Sequence, residues 1–224
     1  MIFRRLTLAL AALPVLLAAA DDVGIKRFVV NAGTAAEPLP VNSYLVCPPQ
    51  GGSAVLIDPG ADDERFAAAA QGAPVRLILN THGHRDHSAG NAACRKRFGA
   101  KLAAPAADRP LYEESGSAAQ VDIWLQDGQL LDGGGFSIRV LATPGHTPGS
   151  VCFLIGGQLF SGDTLMAGSV GRVPEARDEA KALQGLVRVI RQRLLTLPAD
   201  TPLWPGHGRP SSLGEEALLN PFLN

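Results

Sequence analysis

Short apolar runs bounded by glycine, proline and asparagine dominate the first half of the chain, the pattern of strands joined by tight turns. The runs Ile25 to Val30, Ser43 to Val46, Ala54 to Ile57 and Val75 to Leu79 predict four strands. Helical spacing fits Asp62 to Ala70, opened by acidic residues, and Ser88 to Phe98, with Ser88 as the candidate N-cap. Lys101 to Ala104 reads as one more short strand. The second half repeats the theme with strands at Ser137 to Leu141, Ser150 to Ile155 and Gln158 to Phe160. A long helix from about Asp178 to Leu195, a strand near Pro202 to Trp204 and a last helix over Leu213 to Leu219 follow. Two strand-rich halves, each closing with helices, predict an α/β fold in which two sheets pack face to face with helices outside, a four-layer sandwich.

The first twenty residues do not belong to that pattern. Arg4 and Arg5 precede an apolar stretch from Leu6 to Leu17, and Ala18, Ala19 and Ala20 supply small residues before Asp21 and Asp22. This is the layout of a cleavable export signal, and the stretch is short for a membrane span, which needs about 20 apolar residues. Residues 1–20 are therefore expected to be removed, leaving one domain over 21–224 that is periplasmic or secreted and not held to a membrane.

Composition narrows the function. The chain is 46% hydrophobic and 18% charged, with a formal charge of −1. Loss of Arg4 and Arg5 takes the mature domain to −3, and Arg95-Lys96-Arg97 is its only basic run, so no nucleic-acid footprint is expected. The three cysteines, Cys47, Cys94 and Cys152, form no CxxC pair and suggest no disulfide framework. Cys152 sits within an apolar run and reads as a small buried hydrophobe.

The chemistry lies in the histidines. All five fall in three Gly- or Pro-braced segments: Thr81-His82-Gly83-His84-Arg85-Asp86-His87, Thr143-Pro144-Gly145-His146-Thr147-Pro148-Gly149, and Pro205-Gly206-His207-Gly208. Neutral imidazole is a common metal ligand, and four ligand-type residues within six positions have little structural purpose otherwise. The first segment begins where the Val75 to Leu79 strand ends. His82 and His84, two apart, can share one metal, while Asp86 and His87 can face a second as the chain turns into a helix. Asp163 follows the Gln158 to Phe160 strand in Ser161-Gly162-Asp163-Thr164, so several strand ends can deliver ligands to one place.

These segments resemble the metallo-β-lactamase-fold hydrolases, specifically the glyoxalase II-like (hydroxyacylglutathione hydrolase-like) branch. Further similarity lies in Asn42-Ser43-Tyr44-Leu45-Val46, in Leu56-Ile57-Asp58-Pro59-Gly60 and in Asn220-Pro221-Phe222. The resemblance implies an αββα sandwich with the metal site at one edge of the two sheets. It implies one metal on His82, His84 and His146, a second on Asp86, His87 and His207, and Asp163 between them. Asp58 is implied as a carboxylate that orients a ligand histidine. Two divalent ions, zinc first and iron or manganese as alternatives, could share a hydroxide that attacks an acyl carbon, with Asp86 orienting that nucleophile.

A thiolate leaves without a strong acid, so a thioester such as S-lactoylglutathione is the expected small-molecule substrate. Alternatives within the same resemblance are another acyl, lactone or β-lactam hydrolase, or an iron-dependent persulfide dioxygenase. The bridging position of Asp163 favours the glyoxalase branch over true metallo-β-lactamases, which lack it. Full-length members of that branch carry a C-terminal helical domain that helps bind glutathione; the chain runs seventeen residues past His207, and that domain is expected to be absent. Arg172 and Tyr112 are candidates for substrate contact, with a structural role favoured for each. Oligomeric state is not legible.

Overall fold

The computed structural model describes residues 23–48, 51–173 and 177–224. The predicted export signal lies outside these residues. Two six-stranded sheets dominate. The first holds β1 (Gly24–Asn31), β2 (Pro40–Cys47), β3 (Ala54–Ile57), β4 (Val75–Leu79), β5 (Lys101–Pro105) and β6 (Ile123–Leu125) in chain order. Its first three strands run antiparallel and β3 to β6 run parallel. The second sheet contains β7 (Leu130–Asp132), β8 (Ser137–Ala142), β9 (Val151–Ile155), β10 (Gln158–Gly162), β13 (Pro202–Pro205) and β14 (Ser211–Ser212). It is antiparallel except where β13 returns parallel to β10. A small ribbon, β11 (Leu165–Met166) with β12 (Ser169–Val170), projects from it.

Alternation along the strands sorts side chains into three cores, and these separate four layers. Tyr44 and Val46, Val55 and Ile57, and Leu77 and Leu79 point between the sheets, where they meet Ile138, Val140, Phe153 and Phe160. Their neighbours Leu45, Leu56 and Ile78 point the other way, against Phe66 of α1 (Arg65–Ala70) and Cys94 of α3 (Asn91–Phe98). On the far side Leu141, Cys152 and Leu159 meet Leu186, Ile190 and Leu213. Those last three belong to α5 (Glu179–Arg193) and α6 (Leu213–Leu219). β3 is buried along its whole length, which is why Ala54 to Ile57 shows no polar alternation. Tyr44, Phe160 and Trp204 tie the two sheets together through edge-on and stacked ring contacts.

The predicted elements recur with shifted ends. α5 is capped by Asp178, whose carboxylate accepts the Lys181 N–H at 3.0 Å, and α6 by Ser212. The helix expected over Ser88 to Phe98 is instead broken. α2 (Arg85–Ser88) ends before α3 starts, and Ser88 is no cap: its hydroxyl donates back to the His84 carbonyl at 2.9 Å. The break occurs at Gly90, whose N–H donates to the Pro59 carbonyl at 2.8 Å. A Cβ on Gly90 would lie 2.5 Å from that oxygen, so only glycine fits against the loop after β3. The short α4 (Arg109–Glu114) and β6 escaped the sequence reading. Among the described residues, no helix is long and apolar enough to cross a membrane.

Candidate metal centre

The C-terminal ends of β3, β4, β8, β10 and β13 lie along one edge of the sandwich, and each feeds a loop into the same place. Asp58 closes β3 with φ +48°, a backbone state uncommon for a residue with a side chain. Its carboxylate accepts the Thr81 N–H at 2.8 Å, the Thr81 hydroxyl at 2.6 Å and His87 Nδ1 at 3.0 Å. The Thr81 hydroxyl, having given its proton to Asp58, can accept only from His82 Nδ1, 3.1 Å away. One carboxylate therefore sets two imidazoles, His87 directly and His82 through Thr81, and leaves Nε2 of each to face the cluster.

The other rings are set by carbonyls. His146 Nδ1 donates to the Arg172 carbonyl at 2.7 Å and His207 Nδ1 to the Pro40 carbonyl at 2.7 Å, so each also presents Nε2. The His207 loop is held against the first sheet by Asn42, whose side chain donates to the Pro205 and Gly208 carbonyls, and by the Tyr44 hydroxyl on Pro205 at 2.6 Å. Gly206 makes room for the site itself. A Cβ there would lie 2.3 Å from Asp163 Oδ1 and 2.6 Å from His87 Cε1.

The seven expected ligands converge. Three overlapping groups, His82-His84-His146, His82-His87-Asp163 and Asp86-His87-His207, each bring one ligand atom per residue within 4.8 Å of the others. His84 Nδ1 lies 3.0 Å from His146 Nε2, and His87 Nε2 3.3 Å from His207 Nε2. Asp163 stands between the groups, 3.4 Å from His87 and His207 and 3.6 Å from His146. Asp86 lies 3.4 Å from His207. A cation bound at 2.0–2.1 Å by tetrahedrally placed ligands separates those ligands by about 3.3 Å, and the close pairs here lie 3.0–3.6 Å apart.

Among the described residues, two buried atoms of the cluster, His82 Nε2 and Asp163 Oδ1, have no hydrogen-bond partner. Such orphans are costly unless something else satisfies them, and both face the cluster. The donor set, its spacing and its orphaned atoms all fit a divalent metal.

The two ends of the cluster differ electrically. Burial drives His82 well below the ordinary imidazole range, and the positive field of His87 adds to it. Burial followed by His146 lowers His84 as well, so these rings are neutral at physiological pH. Burial also opposes a charged His87, yet Asp163 and Asp58 override it and hold that ring well above its usual range. His207 rises to about 10, because hydrogen bonds with Asp163 and Asp86 outweigh its desolvation. Burial favours neutral acids at Asp86 and Asp163, but the hydrogen bond from His207 and the charge of His87 lower both, Asp163 strongly.

Of the substrate-contact candidates, Tyr112 is only 1% exposed, and its hydroxyl donates to Asn80 Oδ1 at 3.0 Å and to the His82 carbonyl at 3.1 Å. It is a brace for the His82 loop, not a contact for substrate. Arg172 has an exposed side chain, and its contact to the site is through its carbonyl. Sequence reasoning missed Asn42 as a clamp, Asn80, which bonds the His87 carbonyl at 3.1 Å, and Asp108. Asp108 lies in Ala106-Ala107-Asp108-Arg109-Pro110, which has the composition of an ordinary turn.

A cluster of imidazoles and carboxylates at one edge of an αββα sandwich defines a metal-dependent enzyme. The chain belongs to the metallo-beta-lactamase superfamily, whose family profile matches residues 36–207. It is 33% identical over 189 residues to the hydroxyacylglutathione hydrolase GloC of Haemophilus influenzae, covering 77% of this chain and 88% of that protein. Among solved structures it is similar to TTHA1623 in a di-iron-bound form, with 37% identity, a TM-score of 0.70, and coverage of 88% of this chain and 100% of that one. It is also similar to the BLEG-1 B3 metallo-beta-lactamase, with 29% identity, a TM-score of 0.74, and coverage of 90% and 100%.

Proposed function

We propose that this protein is a hydrolase of thioesters, of the S-lactoylglutathione type, working at a centre of two divalent cations. The observation that carries the reading is the grouping of seven ligand residues into two sets of three that share the buried Asp163. His82, His84 and His146 would hold one ion, Asp86, His87 and His207 the other, and Asp163 both. Ions held there would polarise an acyl carbonyl and acidify water near neutral pH.

The chain's own groups do the rest. Asp86, ionised and half-buried in the cluster, can accept a hydrogen bond from an attacking water and aim it. Asp58 and the Arg172 and Pro40 carbonyls keep the imidazoles from turning as charge moves through the site. A thiolate leaving group needs no further acid, which suits a site in which every histidine is engaged.

The relative from Haemophilus influenzae favours this substrate class. Zinc is the proposed occupant, and the di-iron form of TTHA1623 makes iron the second candidate. The test is hydrolysis of S-lactoylglutathione by zinc-loaded protein. Turnover cut about 10²–10⁴-fold by Asp86→Ala is the expected result, and no turnover of the unsubstituted protein with two zinc ions bound would exclude this substrate. The likeness to a B3 metallo-beta-lactamase would then send the search to β-lactams. Export is proposed on the pattern of residues 1–20. Protein recovered from the periplasm should begin at Asp21, and an intact Met1 would contradict that.

A further inference from the structure

Asp108 touches no histidine, yet it is only 1% exposed and uses both carboxylate oxygens. Oδ2 accepts the Gly83 N–H at 2.8 Å and the Thr147 hydroxyl at 2.7 Å, and Oδ1 accepts the Gly149 N–H at 2.6 Å. Gly83 is the residue between His82 and His84, and Thr147 follows His146 directly. We propose that Asp108 is a positioning residue for the His82-His84-His146 group alone. A single carboxylate sets the peptide between His82 and Gly83 and, on its other side, the loop that carries His146. The inference rests on the metal-centre reading above.

The geometry is demanding on both sides. The loops belong to different sheets and are 62 residues apart at His84 and His146, so no local hydrogen bond can fix their separation. Asp108 spans the gap because Gly149 lets it approach: a Cβ at 149 would lie 2.4 Å from the Asp108 nitrogen and 2.6 Å from Oδ1. On the opposite loop, a Cβ at Gly83 would lie 2.9 Å from the Leu111 side chain, so the turn is packed as well as hydrogen-bonded. All three donors point at acceptor-only oxygens, which an amide of the same shape cannot reproduce: one of its ends would turn N–H toward N–H. Asp58, by contrast, reaches His87 directly and His82 through Thr81, and so serves both groups.

The test measures zinc affinity by competition with a chromophoric chelator in two backgrounds, His207→Ala, which leaves the His82-His84-His146 group, and His146→Ala, which leaves the other. Asp108→Asn should weaken zinc about 10-fold or more in the His207→Ala background, the scale of losing a partner that orients metal ligands, and change it little in the His146→Ala background. Equal losses in both backgrounds, as a general structural role would give, overturn the proposal, and so does no loss in either. If Asp108→Asn fails to fold, Thr147→Val removes one of the three bonds and should give a smaller loss confined to the same background. Failure of the unsubstituted protein itself to bind zinc would instead remove the metal-centre reading, and this proposal with it.

Discussion

The two halves of the cluster are built from similar ligands but sit in opposite electrical states. The His82-His84-His146 group is three imidazoles, two of them pushed downward, His82 by burial and the charge of His87, His84 by burial and His146. The Asp86-His87-His207 group has a carboxylate of its own, and carboxylates raise both its histidines, His207 to about 10. Burial is not what separates them, since His82 and His87 are equally buried. The difference comes from carboxylate placement: Asp58 and Asp163 flank His87 at 3.0 and 3.4 Å, while His82 meets Asp58 only through a hydroxyl. A cation finds free nitrogen lone pairs on His82 and His84, and at His87 and His207 it must displace protons.

That contrast can be broken most forcefully at Asp86. Asp86→Ala should cut turnover of the thioester by about 10²–10⁴-fold, the range for a positioned acid–base group, while the three-imidazole group keeps its metal. Steady-state kinetics together with metal content check both halves of the statement. Loss of all metal would mean the two groups are not separable.

The protonation difference predicts unequal pH behaviour. His87 and His207 must lose protons to bind, so zinc affinity in a His146→Ala protein should climb between pH 6.5 and 8.5, by up to about 10-fold per pH unit for each proton released. His82 and His84 are already neutral over that window, and affinity in a His207→Ala protein should climb less steeply. Calorimetric titration in buffers of differing ionisation enthalpy counts the protons, and equal release from both proteins would erase the distinction.

Asp58→Asn should weaken zinc at both groups by about 10–100-fold, because its oxygens anchor His87 and, through Thr81, His82. An effect on one group only would show that the Thr81 relay is idle. The smallest effect is expected at Arg172. Since it is the carbonyl that holds His146, Arg172→Ala should change zinc affinity by no more than about twofold, as for an ordinary surface substitution. A large loss would point to the guanidinium instead.

Much of this was legible in the sequence for a physical reason. Metal ligands need lone pairs of specific chemistry, so five histidines confined to three braced loops are visible as spacing alone. The strands were legible because alternate residues must enter different cores, and the fully apolar β3 because both its faces are covered. What stayed hidden acts through the backbone across long separations. Asp108 and Asn42 bond to peptide groups 25 to 166 residues away, and the residues beside them do not show which peptides they will meet. The split between α2 and α3 was hidden likewise, because Gly90 answers to the approach of Pro59 and not to helix propensity. α4 and β6, of six and three residues, are too short to show a period.

The most direct test of the account is where the ions sit. Crystals of the zinc-loaded protein, measured at the zinc absorption edge, should show two anomalous peaks about 3.5–4 Å apart. One should fall among His82, His84 and His146, the other among Asp86, His87 and His207, with Asp163 reaching both. A single peak, or peaks that leave either group without metal, would contradict a two-cation centre divided along this line.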